Sequence, residues 1–119
     1  MLDKVLRIGT LYDFYGALLT EKQQQCLEMH YLNDDSLGEI AMVYEVSRQA
    51  VHDILRRAEL ILEDYERKLG LVERHQQEQE TIGKVYGLID SLPEAERQLP
   101  PIKLAREMLQ ALINREEED

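Results

Sequence analysis

An all-α fold is predicted, with a helix-turn-helix head, a long helix and further C-terminal helices. Three observations predict it. Apolar residues recur at helical spacing along nearly the whole chain, and alternating apolar-polar runs are almost absent. Side chains suited to helix capping stand where those periodic runs begin. Residues 37–54, LGEIAMVYEVSRQAVHDI, have the layout of two short helices joined by a tight turn.

The first helix is expected over about residues 2–19, where Leu2, Val5, Leu6, Leu11, Tyr12, Tyr15, Leu18 and Leu19 form a broad stripe. Gly9 and Gly16 lower its propensity by about 1 kcal/mol each, and their small size would let another helix approach. Thr20 with Gln23 has capping-box spacing, which opens a second helix over about 21–32 with Cys26, Leu27 and Tyr31 inward. Asn33, Asp34 and Asp35 mark a turn. Ser36 with Glu39 is a second capping box and opens a short helix over about 37–44. Glu45 and Val46 make the turn, and Ser47 caps the fourth helix.

That fourth helix keeps one apolar side through Val51, Ile54, Leu55, Ala58, Ile61, Leu62, Tyr65, Leu69 and Val72. It is far longer than a groove-reading helix needs, and Gly70 either ends or bends it. A polar run follows over 74–80, then a stripe from Ile82 to Leu92 stopped by Pro93. Pro100 and Pro101 open a last helix with Ile102, Ala105, Met108, Leu109, Leu112 and Ile113 on one side. The expected division is a helix-turn-helix domain over 1–69 and a C-terminal helical extension over 70–119. The far half of the fourth helix and the later stripes need covering, which predicts a homodimer held by the extension.

Charge and composition narrow the function. The formal net charge of the 119 residues is −10, which opposes non-specific affinity for phosphate backbones. Around the second helix of the motif the balance reverses, with Arg48, Arg56, Arg57 and His52 against Asp53. A single cysteine, Cys26, leaves no intrachain disulfide and suits a reducing cytoplasm. No apolar run reaches the ~18 residues of a membrane span, and charges at Asp3, Lys4 and Arg7 argue against a secretory signal.

The candidate contact residues are Ser47, Arg48, Gln49, His52, Arg56 and Arg57. Ser47 caps the helix N-terminus and leaves it aimed outward. Arg48 and Gln49 follow in the first turn, where arginine can read guanine and glutamine adenine through paired hydrogen bonds. Arg56 and Arg57 lie two turns deeper and suit phosphates. Glu45 occupies a turn position that often takes glycine, at a cost of about 1 kcal/mol for a left-handed conformation. The same crossing would also serve a helical hairpin that only packs.

Residues 19–57, LTEKQQQCLEMHYLNDDSLGEIAMVYEVSRQAVHDILRR, resemble the region-4 helix-turn-helix of sigma factors. Closer still, LYDFYGALLTEKQ, YLNDDSLGEIA, VSRQAVHDILRRAE and LEDYERKLGL are similar to segments of the YlxM family of small bacterial proteins, over most of the first 70 residues. The resemblance implies a sigma region 4-like head. It also implies a place in the signal recognition particle pathway, or in regulating its genes, because family members are usually encoded beside that particle's GTPase. The likeness does not imply a sigma factor, since 119 residues are expected to leave no room for a promoter-melting domain.

Other chemistry finds little footing. His30, His52 and His75 are too scattered for zinc, and there is no glycine-rich phosphate loop or paired nucleophile and base. No catalytic residue, metal or cofactor is expected. Tyr12, Phe14 and Tyr15 lie together and could stack on unpaired bases, although packing beneath the motif accounts for them better. Three functions stay open. One is a dimeric DNA-binding regulator. Another is an accessory protein of the signal recognition particle acting by protein or RNA contact, for which the acidic surface would meet basic partners. An interaction scaffold with a vestigial reading head is a third.

Overall fold

A computed structural model describes residues 2–118, with side chains described through Arg115. The described residues are helical, with no strand among them: α1 (Leu2–Tyr15), a 3₁₀ turn (Gly16–Leu18), α2 (Glu21–Leu27), a π turn (Glu28–Leu32), α3 (Leu37–Tyr44), α4 (Arg48–Leu69), α5 (Leu71–Asp90), α6 (Glu94–Arg97) and α7 (Pro100–Glu118). The chain divides into two compact units, Met1–Val72 and Glu73–Asp119.

In the first unit α4 packs against α1, α2 and α3. Its apolar side contributes Val51, Leu55, Ala58 and Leu62, which meet Ile8, Leu11 and Tyr15 of α1, Cys26 and Leu27 of α2, and Ile40 and Ala41 of α3 in one core. Burial pushes the Cys26 thiol up, so it packs as a small apolar group and is a poor nucleophile.

Both expected capping boxes form. Thr20 Oγ1 accepts from the Gln23 N–H at 3.2 Å while Gln23 Oε1 accepts from the Thr20 N–H at 3.1 Å. Ser36 and Glu39 exchange the same pair at 3.1 and 3.2 Å. Two helix ends differ from expectation. The first helix tightens into the 3₁₀ turn after Tyr15 rather than running on to Leu19. Gly16 is required there because a Cβ would stand 2.9 Å from the Tyr12 ring. Gly9, by contrast, has nothing within 4 Å of a Cβ position and serves no close packing. The second helix loosens into the π turn, closed by the Asn33 N–H donating to the Glu28 carbonyl at 3.0 Å.

Gly70 ends α4 in a left-handed conformation, with its N–H donating to the Glu66 carbonyl at 2.8 Å. The next helix then starts at once, and the polar run 74–80 belongs to α5 instead of separating two helices. Its first turn is capped from a distance. The buried Tyr15 hydroxyl donates to Glu66 Oε1 at 2.6 Å and accepts from the Leu71 N–H at 3.1 Å, while the same carboxylate oxygen accepts from the Val72 N–H at 3.0 Å. Two orphan donors of a helix start are thus satisfied by α1 and α4 side chains.

The second unit is built differently. From residue 73 to 115 no residue is buried. Asp90 ties its helices together by accepting from Arg106 at 3.0 Å, with Arg97 at 3.8 Å, and Arg106 also lies over the Tyr86 ring.

Candidate nucleic-acid interface on the fourth helix

The turn between α3 and α4 is set by its own hydrogen bonds. Glu45 takes the left-handed conformation expected of it, with φ 56° and ψ 44°. Its N–H donates to the Met42 carbonyl at 3.4 Å, and the Val46 N–H donates to the Ala41 carbonyl at 3.1 Å. This pairing closes a helix C-terminus through a Schellman motif and turns Val46 back onto the core. Ser47 Oγ then accepts from the Ala50 N–H at 3.0 Å, starting α4. Buried Ala41 provides the small side chain at the crossing.

All six sequence-predicted side chains are exposed. They do not form one cluster, because residues one apart on a helix diverge by about 100° while residues four apart align. Arg48, His52 and Arg56 form one row. Gln49 and Arg57 belong to a second row with Asp53 between them. In the first row the Arg48 Nε leans toward the start of α3, 3.9 Å from a Cβ position on Gly38. His52 and Arg56 face a small cavity of about 140 Å³, shared with Lys4, His30, Tyr31 and Glu59. In the second row Gln49 Nε2 donates to Asp53 Oδ1 at 3.0 Å, and His52 Nδ1 stands 3.7 Å from the same oxygen. Arg57 lines an open hollow with Leu60, Asp64, Arg67 and Lys68. Arg56 and Arg57 therefore point to different surroundings, although the sequence reading treats them as a pair.

The sequence reading counts Asp53 only in the charge balance and misses its bond to Gln49. Its i, i+4 spacing from both Gln49 and Arg57 was the available signal. An exposed amide-carboxylate pair of this kind contributes only about 0.2–0.5 kcal/mol, so Gln49 can be released for another partner.

The cations of the first unit sort into two groups. Lys4 pairs with Glu59 at 3.3 Å, Arg7 with Glu63 at 3.0 Å, and Arg67 and Lys68 with Asp64. Lys22 lies over the Tyr44 ring. Arg48, Arg56 and Arg57 have no carboxylate partner among the described residues. Two tyrosines of the first unit are held by acids: Tyr12 donates to Glu28 at 2.6 Å, and Tyr31, at the cavity that His52 and Arg56 face, donates to Glu59 in a short bond. Burial, then these bonds, push both phenols up, Tyr12 to about 12. The aromatic group of α1 is mainly packing, with Tyr15 buried and stacked on Tyr65.

No group of three or more His, Cys, Asp or Glu among the described residues could hold a metal ion. No helix among them is long and apolar enough to cross a membrane.

Comparison with known proteins agrees with this geometry. The family described as "Putative helix-turn-helix protein, YlxM / p13 like" matches residues 2–100. A UPF0122 protein of Thermoanaerobacter sp. is 49% identical over 106 residues, 89% of this chain and 91% of that relative. Its counterpart from Caldanaerobacter subterraneus is 56% identical over 85 residues, covering 71% and 73%. One from Geobacillus kaustophilus is 52% identical over 89 residues, covering 75% and 81%. With the motif in place and the match spanning both units, the chain belongs to the YlxM / p13-like helix-turn-helix family.

Proposed function

We propose that this protein is a cytoplasmic DNA-binding regulator that places the first half of α4 in a major groove. One observation carries the reading. On a chain of net charge −10, carboxylates neutralise Lys4, Arg7, Arg67 and Lys68 in the first unit and leave Arg48, Arg56 and Arg57 without a carboxylate partner among the described residues. All three are exposed on the helix that follows the Schellman turn, Arg48 and Arg56 in one row and Arg57 in the other. Arg48 and Gln49 would meet base edges next to the Ser47 cap, His52 would flank them, and Arg56 and Arg57 would reach backbone on either side.

Pairing of two chains through residues 73–119 completes the proposal. Several apolar residues there stay open, with Leu88 at 70% and Met108 at 62% exposure, and stripe residues such as Ile82, Ile89, Ile102 and Leu109 are only half-buried. Covering them would gain about 25 cal/mol per Å² of apolar area. Two heads in two-fold relation would offset weak binding by one acidic head and would suit half-sites about one helical turn apart. Light scattering at micromolar concentration should give the dimer mass, and a monomer mass removes the palindromic site.

The other reading is an accessory protein of the signal recognition particle, acting by protein or RNA contact. It is favoured by the acidic balance and by Met42 and Val43, which lie open on α3 at 81% and 65% exposure. Titration with duplex DNA and with structured RNA at two salt concentrations separates the two. Salt-sensitive DNA binding supports the regulator. Preference for RNA, or no nucleic-acid binding, supports the accessory protein.

A further inference from the structure

Two adjoining cavities run between α1 and α4, about 140 and 210 Å³ in volume, and Lys4, Arg56 and Glu59 line both. The first also reaches His52, so this groove continues the row Arg48, His52, Arg56 onto the N-terminal helix. Lys4 comes from a segment 52 residues away from Arg56 in sequence, and only the fold brings them to one groove.

We propose that Lys4 and Arg56 form a phosphate-holding site that extends the α4 interface onto α1 and takes the backbone of duplex DNA. The site rests on the DNA-binding reading and adds to it a contact outside the helix-turn-helix. The Lys4 side chain is 62% exposed, and its ammonium spends one of its three donors on Glu59. Glu59 is 15% exposed and is occupied by Lys4 and the Tyr31 hydroxyl. Its charge is therefore countered locally, which leaves Arg56 in excess at the groove. From Arg48 to Arg56 the row is about 12 Å long at 1.5 Å per residue. One DNA strand carries a charge about every 3.4 Å of axis, so roughly three or four phosphates pass such a row. A second anchoring cation at its far end fixes the angle of α4 as well as adding affinity.

The test uses the full chain and a mixed-sequence duplex, with affinity measured across a salt series for the wild type and four variants. Lys4→Gln and Arg56→Gln should each flatten the log-log salt slope by about 0.9. Lys68→Gln removes the same charge from a lysine paired with Asp64, three turns along α4 from Arg56. It should leave the slope unchanged. Lys4→Gln combined with Glu59→Gln keeps an acceptor for Tyr31 and leaves no orphaned carboxylate, and it should lose as much slope as Lys4→Gln alone. Thermal melts identify any variant that fails to fold, and the double variant then decides. A slope restored in the double variant, or an equal loss in Lys68→Gln, assigns the effect to general charge and overturns the site. Wild-type protein that binds no duplex overturns the DNA reading and this site with it. A wild type that binds while Lys4→Gln and the double variant keep its slope overturns the site alone.

Discussion

Among the described residues, thirteen hydrophobic side chains are buried in the first unit, whereas between residues 73 and 115 none is, although helical apolar stripes run through both units. The first unit closes its stripes on one another: α4 is covered by α1, α2 and α3, and even the start of α5 is capped by Tyr15 and Glu66. In the second, ion pairs around Asp90 link the helices, Ile82, Ile89, Ile102 and Leu109 are only half-buried, and Leu88, Leu104 and Met108 stay open. The contrast teaches that periodicity marks which side of a helix is apolar without saying what covers it. A unit of this size without buried side chains has little to set against chain entropy, which is why a second copy is proposed for it.

The comparison is broken most sharply by matched truncations. Leu62→Ala, at a fully buried position, should lower the stability of the first unit by about 2–5 kcal/mol. Leu88→Ala should shift that unit's unfolding by less than about 0.5 kcal/mol. Urea titrations of both variants measure this. Equal losses would mean that Leu88 belongs to the same cooperative core as Leu62.

Alkaline pH should also act on the first unit. The phenols of Tyr12, Tyr15 and Tyr31 are pushed up, first by burial and then by bonds to Glu28, Glu66 and Glu59. Unfolded tyrosine loses its proton near pH 10 while these keep theirs. Above that pH the unfolded state binds fewer protons, so stability falls. The contribution is complete below about pH 10 and is lost as pH rises through about 12, where Tyr12 titrates. Urea midpoints at about pH 9 and pH 11 test this, and a flat profile contradicts it.

A smaller effect is expected at the cap of α4. Ser47→Ala removes the acceptor for the Ala50 N–H and should cost about 1 kcal/mol. Thermal melts that match the wild type would show that the Schellman turn alone holds the start of the helix.

Much of the first unit was legible because its signals are local. Thr20 with Gln23 and Ser36 with Glu39 stand three residues apart, and both boxes form. The run from Val51 to Leu62 placed the core side of α4. What escaped depends on distant residues or on crowding. In the 3₁₀ turn Gly16 stands against the Tyr12 ring, which leaves no room for a Cβ. The start of α5 relies on Tyr15, 56 residues from Leu71, so the polar run 74–80 reads as a break when seen alone. In the candidate site the residue types were legible, and the two rows on α4 could have been drawn from spacing. That Lys4 shares a groove with Arg56 could not, because no local pattern links α1 to the middle of α4.

The central claim is that the unpaired arginines of α4 hold nucleic acid. Duplex binding by the full chain and by an Arg48→Ala, Arg56→Ala, Arg57→Ala variant tests it most directly, with thermal melts alongside. The account predicts salt-sensitive binding by the wild type. It predicts near-complete loss in the variant with the melt changed by less than about 0.5 kcal/mol per substitution, as for exposed positions. Equal binding by both proteins, or none by the wild type, would contradict it.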